Sequence, residues 1–156
     1  SAIVAQPSLV MLPSGGARPA SDRTPGTPHM RPLDGVALVA MGMEHVVVLT
    51  KSTGGICNHG SSDRVQLWTW GSGTQGQLGH DDTISSSLPR EVLGLHALVE
   101  AHGQVTSIAS GNEHTALMFE DGALCAFGCG YFGRLGLGTE DNWASPRLLE
   151  QLGVQR

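Results

Sequence analysis

At 156 residues, with 40% hydrophobic and 15% charged side chains, the chain is long enough for a sizeable core, yet its charge falls below the roughly 25% of an average globular protein. A formal charge of −5 and a single lysine, Lys51, exclude the clustered basic surface that nucleic-acid binding requires. Twenty-two glycines favour short strands and tight turns over an amphipathic bundle, because glycine alone takes φ > 0 without steric cost.

Residues 1–34 stand apart. Six of the eight prolines lie here, at positions 7, 13, 19, 25, 28 and 32, and Pro13–Pro28 has no apolar periodicity with which to offset its ordering entropy. The segment reads as a Pro/Gly-rich linker, with the apolar piece Ile3–Leu12 able to dock as a separate strand. Pro7 interrupts that piece and no basic stretch precedes it, which argues against a secretory signal. No apolar run reaches the roughly 18 residues of a membrane span. The chain opens with Ser1 rather than Met, as a processed product or a segment of a longer chain would. Three cysteines, Cys57, Cys125 and Cys129, are too few and too uneven for a disulfide framework. Reduced thiols in an intracellular compartment, cytoplasmic or nuclear, are expected.

From Val36 the sequence repeats itself. Val39-Ala-Met-Gly-Met-Glu-His-Val-Val-Val-Leu49 matches Ile108-Ala-Ser-Gly-Asn-Glu-His-Thr-Ala-Leu-Met118 at an offset of 69. Trp70-Gly-Ser-Gly-Thr-Gln-Gly-Gln-Leu-Gly79 matches Phe127-Gly-Cys-Gly-Tyr-Phe-Gly-Arg-Leu-Gly136 at an offset of 57, which Pro89 and Pro146 keep. One repeat therefore occupies 35–95 and a second 96–156, and the first carries 12 extra residues as an insertion at 51–64.

The second copy shows its strands most clearly. Val105–Ala109 is a β-rich run ending at the turn Gly111–His114, and Thr115–Phe119 follows. Asp121-Gly122 predicts a type I′ hairpin turn into Ala123–Phe127. Pro146 is expected to open a fourth strand at an edge, where a missing N–H is tolerated. Four short strands in about 50 residues is the spacing of a propeller blade. The combined pattern (A-x-G-x-E-H, aliphatic strand, D-G, aromatic-G-x-G-x-x-G-x-L-G, then Pro) resembles the RCC1 repeat over residues 36–152. The resemblance implies an all-β fold, with blades of four antiparallel strands forming part of a seven-bladed ring; two repeats cannot close it, so other repeats are expected in a longer chain, or the divergent N-terminus hides part of one. Arg134 in place of the usual Gln, and Phe127 in place of Trp, depart from the family pattern without disturbing it.

The repeat also assigns roles. Gly42, His45, Trp70, Gly71, Gly76, Leu78 and Gly79, with Gly111, His114, Phe127, Gly128, Gly133, Leu135 and Gly136, are structural repeat positions. Both glycine strings fit G-x-G-x-x-G, but a fourth glycine follows where a dinucleotide site needs a helix to begin. No nucleotide or other cofactor is expected. His45 and His114 are expected to order their blades by hydrogen bonding to backbone in the turn. Trp68 and Trp70 are read as facing opposite sides, Trp70 in the core between blades and Trp68 in core or in a contact.

The insertion is the feature peculiar to this chain, and loops of this kind often bind. Its residues Ile56, Cys57, Asn58, His59, Asp63 and Arg64 are the candidate partner contacts. Cys57 and His59 alone do not make a metal site. No nucleophile–base pair or catalytic carboxylate pair can be assembled, so no catalytic residue is expected. The reading is a protein–protein interaction or scaffold module. The alternatives are nucleotide exchange on a small Ras-like GTPase, which the resemblance allows, and a regulatory propeller attached to a larger multidomain enzyme.

Overall fold

The computed structural model describes residues 11–13, 30–33, 35–52 and 64–149. Ile56, Cys57, Asn58, His59 and Asp63 lie outside them.

Strands β3 (Val36–Met41), β4 (His45–Ser52), β5 (Arg64–Gly71) and β6 (Ser86–Glu91) form one antiparallel sheet in chain order. Strands β7 (Val105–Ser110), β8 (His114–Phe119), β9 (Leu124–Gly128) and β10 (Trp143–Leu148) form a second sheet of the same order. A short pair, β1 (Met11–Pro13) and β2 (Met30–Pro32), stands before them. These are the expected four-stranded units. β1 falls at the end of the apolar piece proposed to dock.

The core lies between the two sheets. Val47, Leu49, Val65 and Leu67 of the first sheet meet Leu117, Phe119, Cys125 and Phe127 of the second, and all are buried. Alternation explains the choice: odd-numbered residues of β4 and β5 share one face, and odd-numbered residues of β8 and β9 share the face opposite. Each fully buried Leu, Val or Phe contributes about 1.5–3 kcal/mol through surface removed from water.

Five local features differ from the sequence expectation. Helix α1 (Leu95–His102) joins the sheets. Leu95, Leu98 and Val99 recur at helical spacing and pack on the core, a signal too short to stand out among strands. The Asp121-Gly122 turn is not type I′, which needs positive φ at both central residues. Only Gly122 has it, at 86°. Gly122 N–H donates to Phe119 O at 3.0 Å and Asp121 Oδ1 accepts from Ala123 N–H at 2.8 Å, making a type I turn closed by a left-handed glycine.

Pro146 sits within β10 rather than at its start, where the register shifts between Trp143 and Arg147. A bulge on an edge strand accommodates the missing N–H. The insertion is also shorter than its 51–64 bounds, because Lys51 pairs with Val65 and Ser52 with Arg64. Arg64 is therefore the first residue of β5, not a loop residue.

Trp68 and Trp70 share one face, as residues two apart on a strand must. They belong to a smaller cluster with Val46, Val48 and Leu33, on the side of the first sheet away from the core. Trp70 is half-buried where its equivalent Phe127 is fully buried. Phe127→Ala is accordingly expected to cost about 3–5 kcal/mol, and Trp70→Ala distinctly less. Urea titration of the two variants checks the order.

Candidate functional site

The seam between the sheets is keyed by a polar relay. Thr115 Oγ1 donates to Gln77 O at 3.1 Å, and His45 Nε2 lies 3.0 Å from the same hydroxyl. The hydroxyl has one proton and spends it on the carbonyl, so His45 Nε2 must carry the other hydrogen and donate. Nδ1 is then the bare nitrogen of a neutral imidazole, and it is buried without a partner. His45 thus reaches a side chain of the neighbouring sheet rather than backbone in its own turn. Gly42 makes room for the ring: a Cβ there would stand 2.1 Å from His45 Cε1. Gly111 and His114 repeat that relation at 2.1 Å.

The glycine-rich loop of the first repeat completes the seam. Gly76 takes φ 82°, and a Cβ on it would come within 2.6 Å of Ala144 Cα. Gly79 lies under the Phe127 ring, 2.8 Å from Cε2 on the same construction. Asn142 Nδ2 donates to Gln75 Oε1 at 2.7 Å. Leu78 and Leu135 are both buried. Gly71 and Gly128 carry the backbone past Glu44 O and Glu113 O, which accept from Ser72 N–H at 2.7 Å and Cys129 N–H at 2.8 Å. The chain directly after Gly76 is turn and bend, not helix.

The second sheet carries the same face outward. His114, Ala116, Met118, Leu124 and Ala126 occupy the register of His45, Val47, Leu49, Leu67 and Thr69. Leu49 and Leu67 are fully buried, whereas Met118 and Leu124 are 41% and 42% exposed. Gly133 has nothing within 4 Å of a would-be Cβ where Gly76 is pressed by Ala144. Beside it Phe132 is 89% exposed and holds φ 60°, a left-handed geometry that costs a non-glycine residue about 1–2 kcal/mol. Arg134 lies over that ring at 5.9 Å and pairs with Glu113 at 4.0 Å. Sequence reading named the repeat glycines and histidines but not this exposed face, since exposure follows from which sheet has a neighbour.

At the outer edge a cleft of about 520 Å³ is lined by Gly79, His80, Asp81, Arg90, Glu91, Leu93 and Ser145. Arg90 is already paired with Asp82 at 2.7 Å. Cys125 is buried and its thiol is pushed up to about 12 by burial, which removes it as a nucleophile near neutral pH. Among the described residues no three His, Cys, Asp or Glu side chains converge as a metal site, and no helix is long and apolar enough to cross a membrane.

Burial lowers the pKa of His45, with the positive charge of His114 adding to it; burial does the same for His80 and His114. A lowered folded-state pKa means that the unfolded chain protonates first, so this contribution to stability is complete above pH 6.5 and is lost as pH falls below it. Urea midpoints are expected to drop between pH 7 and pH 5, and His45→Gln, which keeps a donor for Thr115, flattens that drop. Thr115→Val leaves Gln77 O and His45 Nε2 unpaired and is expected to cost about 1–3 kcal/mol at pH 7.5.

Three comparisons place this geometry. The family described as "Regulator of chromosome condensation (RCC1) repeat" matches residues 66–118 and 121–156. Human "Probable E3 ubiquitin-protein ligase HERC3" is 39% identical over 112 residues, 71% of this chain and 9% of that protein. Human "Protein RCC2" is 41% identical over 75 residues, 48% of this chain and 13% of that one. The chain thus spans only a small part of these relatives. Among solved structures, yeast RCC1 (Prp20), bound there to Kap60, superimposes with a TM-score of 0.57 at 18% identity, over 76% of this chain and 26% of that one. That likeness speaks for the propeller fold alone.

Proposed function

Since the chain belongs to the RCC1 repeat family, we propose that it supplies adjacent blades, 35–95 and 96–156 with the junction in α1, to a larger β-propeller that serves as a protein-binding scaffold. The observation that carries this is the outward face of the second sheet. It repeats, position for position, the face that the first sheet uses to dock. Gly133 stands clear where the next blade would press, and His114 Nδ1 is buried without a partner as His45 Nδ1 is. Further blades of the same chain fit that face, in a ring of about seven.

A rigid ring leaves recognition to its loops. The insertion between β4 and β5 replaces a tight turn in the other repeat, and its residues Ile56–His59 and Asp63 are the contacts we assign to a protein partner. Removing 53–63 is expected to abolish capture of the partner that the intact protein retains, with an unchanged melting temperature. Retained capture with a folded protein would transfer recognition elsewhere.

A second reading draws on the relative named as a ubiquitin ligase: the propeller would then regulate or position a larger enzyme whose chemistry lies outside these repeats. Exchange on a small GTPase is the finer alternative for the partner. Release of a fluorescent guanine nucleotide from a panel of such GTPases tests it, and no acceleration by the intact propeller rejects it.

A further inference from the structure

We propose that β1 and β2 are the outer two strands of a third blade, seated on the first sheet as that sheet is seated on the second. The inference rests on reading the four-stranded sheets as blades, and four observations support it. The order along the chain fits first. β6 ends one blade and passes through Val92 towards β7 of the next, and β2 passes through Leu33 into β3. The pairing fits next. β1 and β2 are antiparallel with a long connection, as β5 and β6 are. Each outer strand also carries a proline, Pro32 in β2, Pro89 in β6 and Pro146 in β10, where an edge tolerates a missing donor.

The burial pattern carries the most weight. On the face of the first sheet turned away from the core, Val48 and Trp68 are only 4% and 9% exposed. Leu33 packs on them, in the place that Val92 and Leu95 take in the main seam, and β1 lies beside β6. On the same face Val39 and Met41, in the innermost strand, are 57% and 71% exposed. Their register puts them opposite Val48 and Val46. The equivalent of Val39 in the second sheet, Ile108, packs against the core. The outer half of the face is therefore covered and the inner half bare, which is the pattern of a blade whose third and fourth strands alone are among the described residues. The bare strip takes the two missing inner strands, carrying the A-x-G-x-E-H pattern of β3–β4 and β7–β8.

Tryptophan fluorescence of the full chain tests the seating. Leu33→Ala is expected to shift emission to the red and raise acrylamide quenching, because Trp68 loses its cover. Met118→Ala, on the uncovered face of the second sheet, is expected to change neither. Deletion of 1–34 serves as the second variant and is expected to give the larger red shift with the second sheet's seam intact, read from unchanged protection of Cys125 against thiol reagents. Emission and quenching unmoved in both Leu33→Ala and the deletion would overturn the proposal while leaving the seam between the two complete blades untouched.

Discussion

Everything in this molecule depends on one contact: the back of a sheet pressed on the front of the next and locked by an imidazole. The apolar part of the seam supplies most of the stabilisation, since some dozen side chains leave water there. Apolar surfaces slide, however, and a shift by one residue would turn every side chain to the wrong face. The His45–Thr115–Gln77 relay fixes the register. Its donors and acceptors are used in one arrangement only, and a slipped seam would leave them buried and unpaired, at about 1–3 kcal/mol each. Gly42, Gly76 and Gly79 are consequences of the same contact, each marking a place where ring or backbone comes too near for a Cβ.

A seam built this way has a direction, so equivalent positions need not have equal surroundings. Phe127 faces a blade and is sealed; Trp70 faces the short strand pair and is half open. Val46 stands where Thr115 stands in the second sheet. The front of the first sheet therefore has no hydroxyl at the position of Thr115, and its contact with the preceding segment is the apolar packing of Leu33. Such a seam is weaker and less exact in register. The two contacts that the first sheet makes among the described residues accordingly differ in kind: one apolar and partial, one keyed and complete.

The repeat made the architecture legible from sequence, because two offsets agreeing across a gap constrain every strand at once. What failed were matters of parity, local geometry and neighbourhood. Trp68 and Trp70 share one face, not opposite ones, because a two-residue step along a strand returns to the same side. The Asp-Gly pair suggested one turn class, while the twist of β8 and β9 is met by a type I turn with Gly122 behind it. Helix α1 has one buried turn's worth of apolar residues, fewer than periodicity needs to declare itself. The partner of His45 was out of reach because Thr115 lies 70 residues away and only the packing of sheets brings them together.

The same contact explains where the two repeats were free to diverge. At one end of the sheets, the turns before β4 and β8 and the glycine-rich loops after β5 and β9 have their backbone groups taken up by one another and by the neighbouring blade, as Met43 N–H to Asn112 O and Asp81 N–H to Ala144 O illustrate. A change there must be matched across the seam. At the opposite end, the link from β6 to β7 takes no part in the relay: α1 adds apolar cover, and the link bonds to the β8–β9 turn, with His102 Nδ1 lying 2.8 Å from Asp121 Oδ2 and Gln104 O accepting from Glu120 N–H at 3.0 Å. The connection that differs between the repeats lies at this end: the insertion follows β4, and its counterpart after β8 is a tight turn. Sequence freedom concentrates where the lock is absent. A surface able to distinguish this propeller from its relatives is therefore built most readily at that end, on loops whose alteration leaves the seam undisturbed.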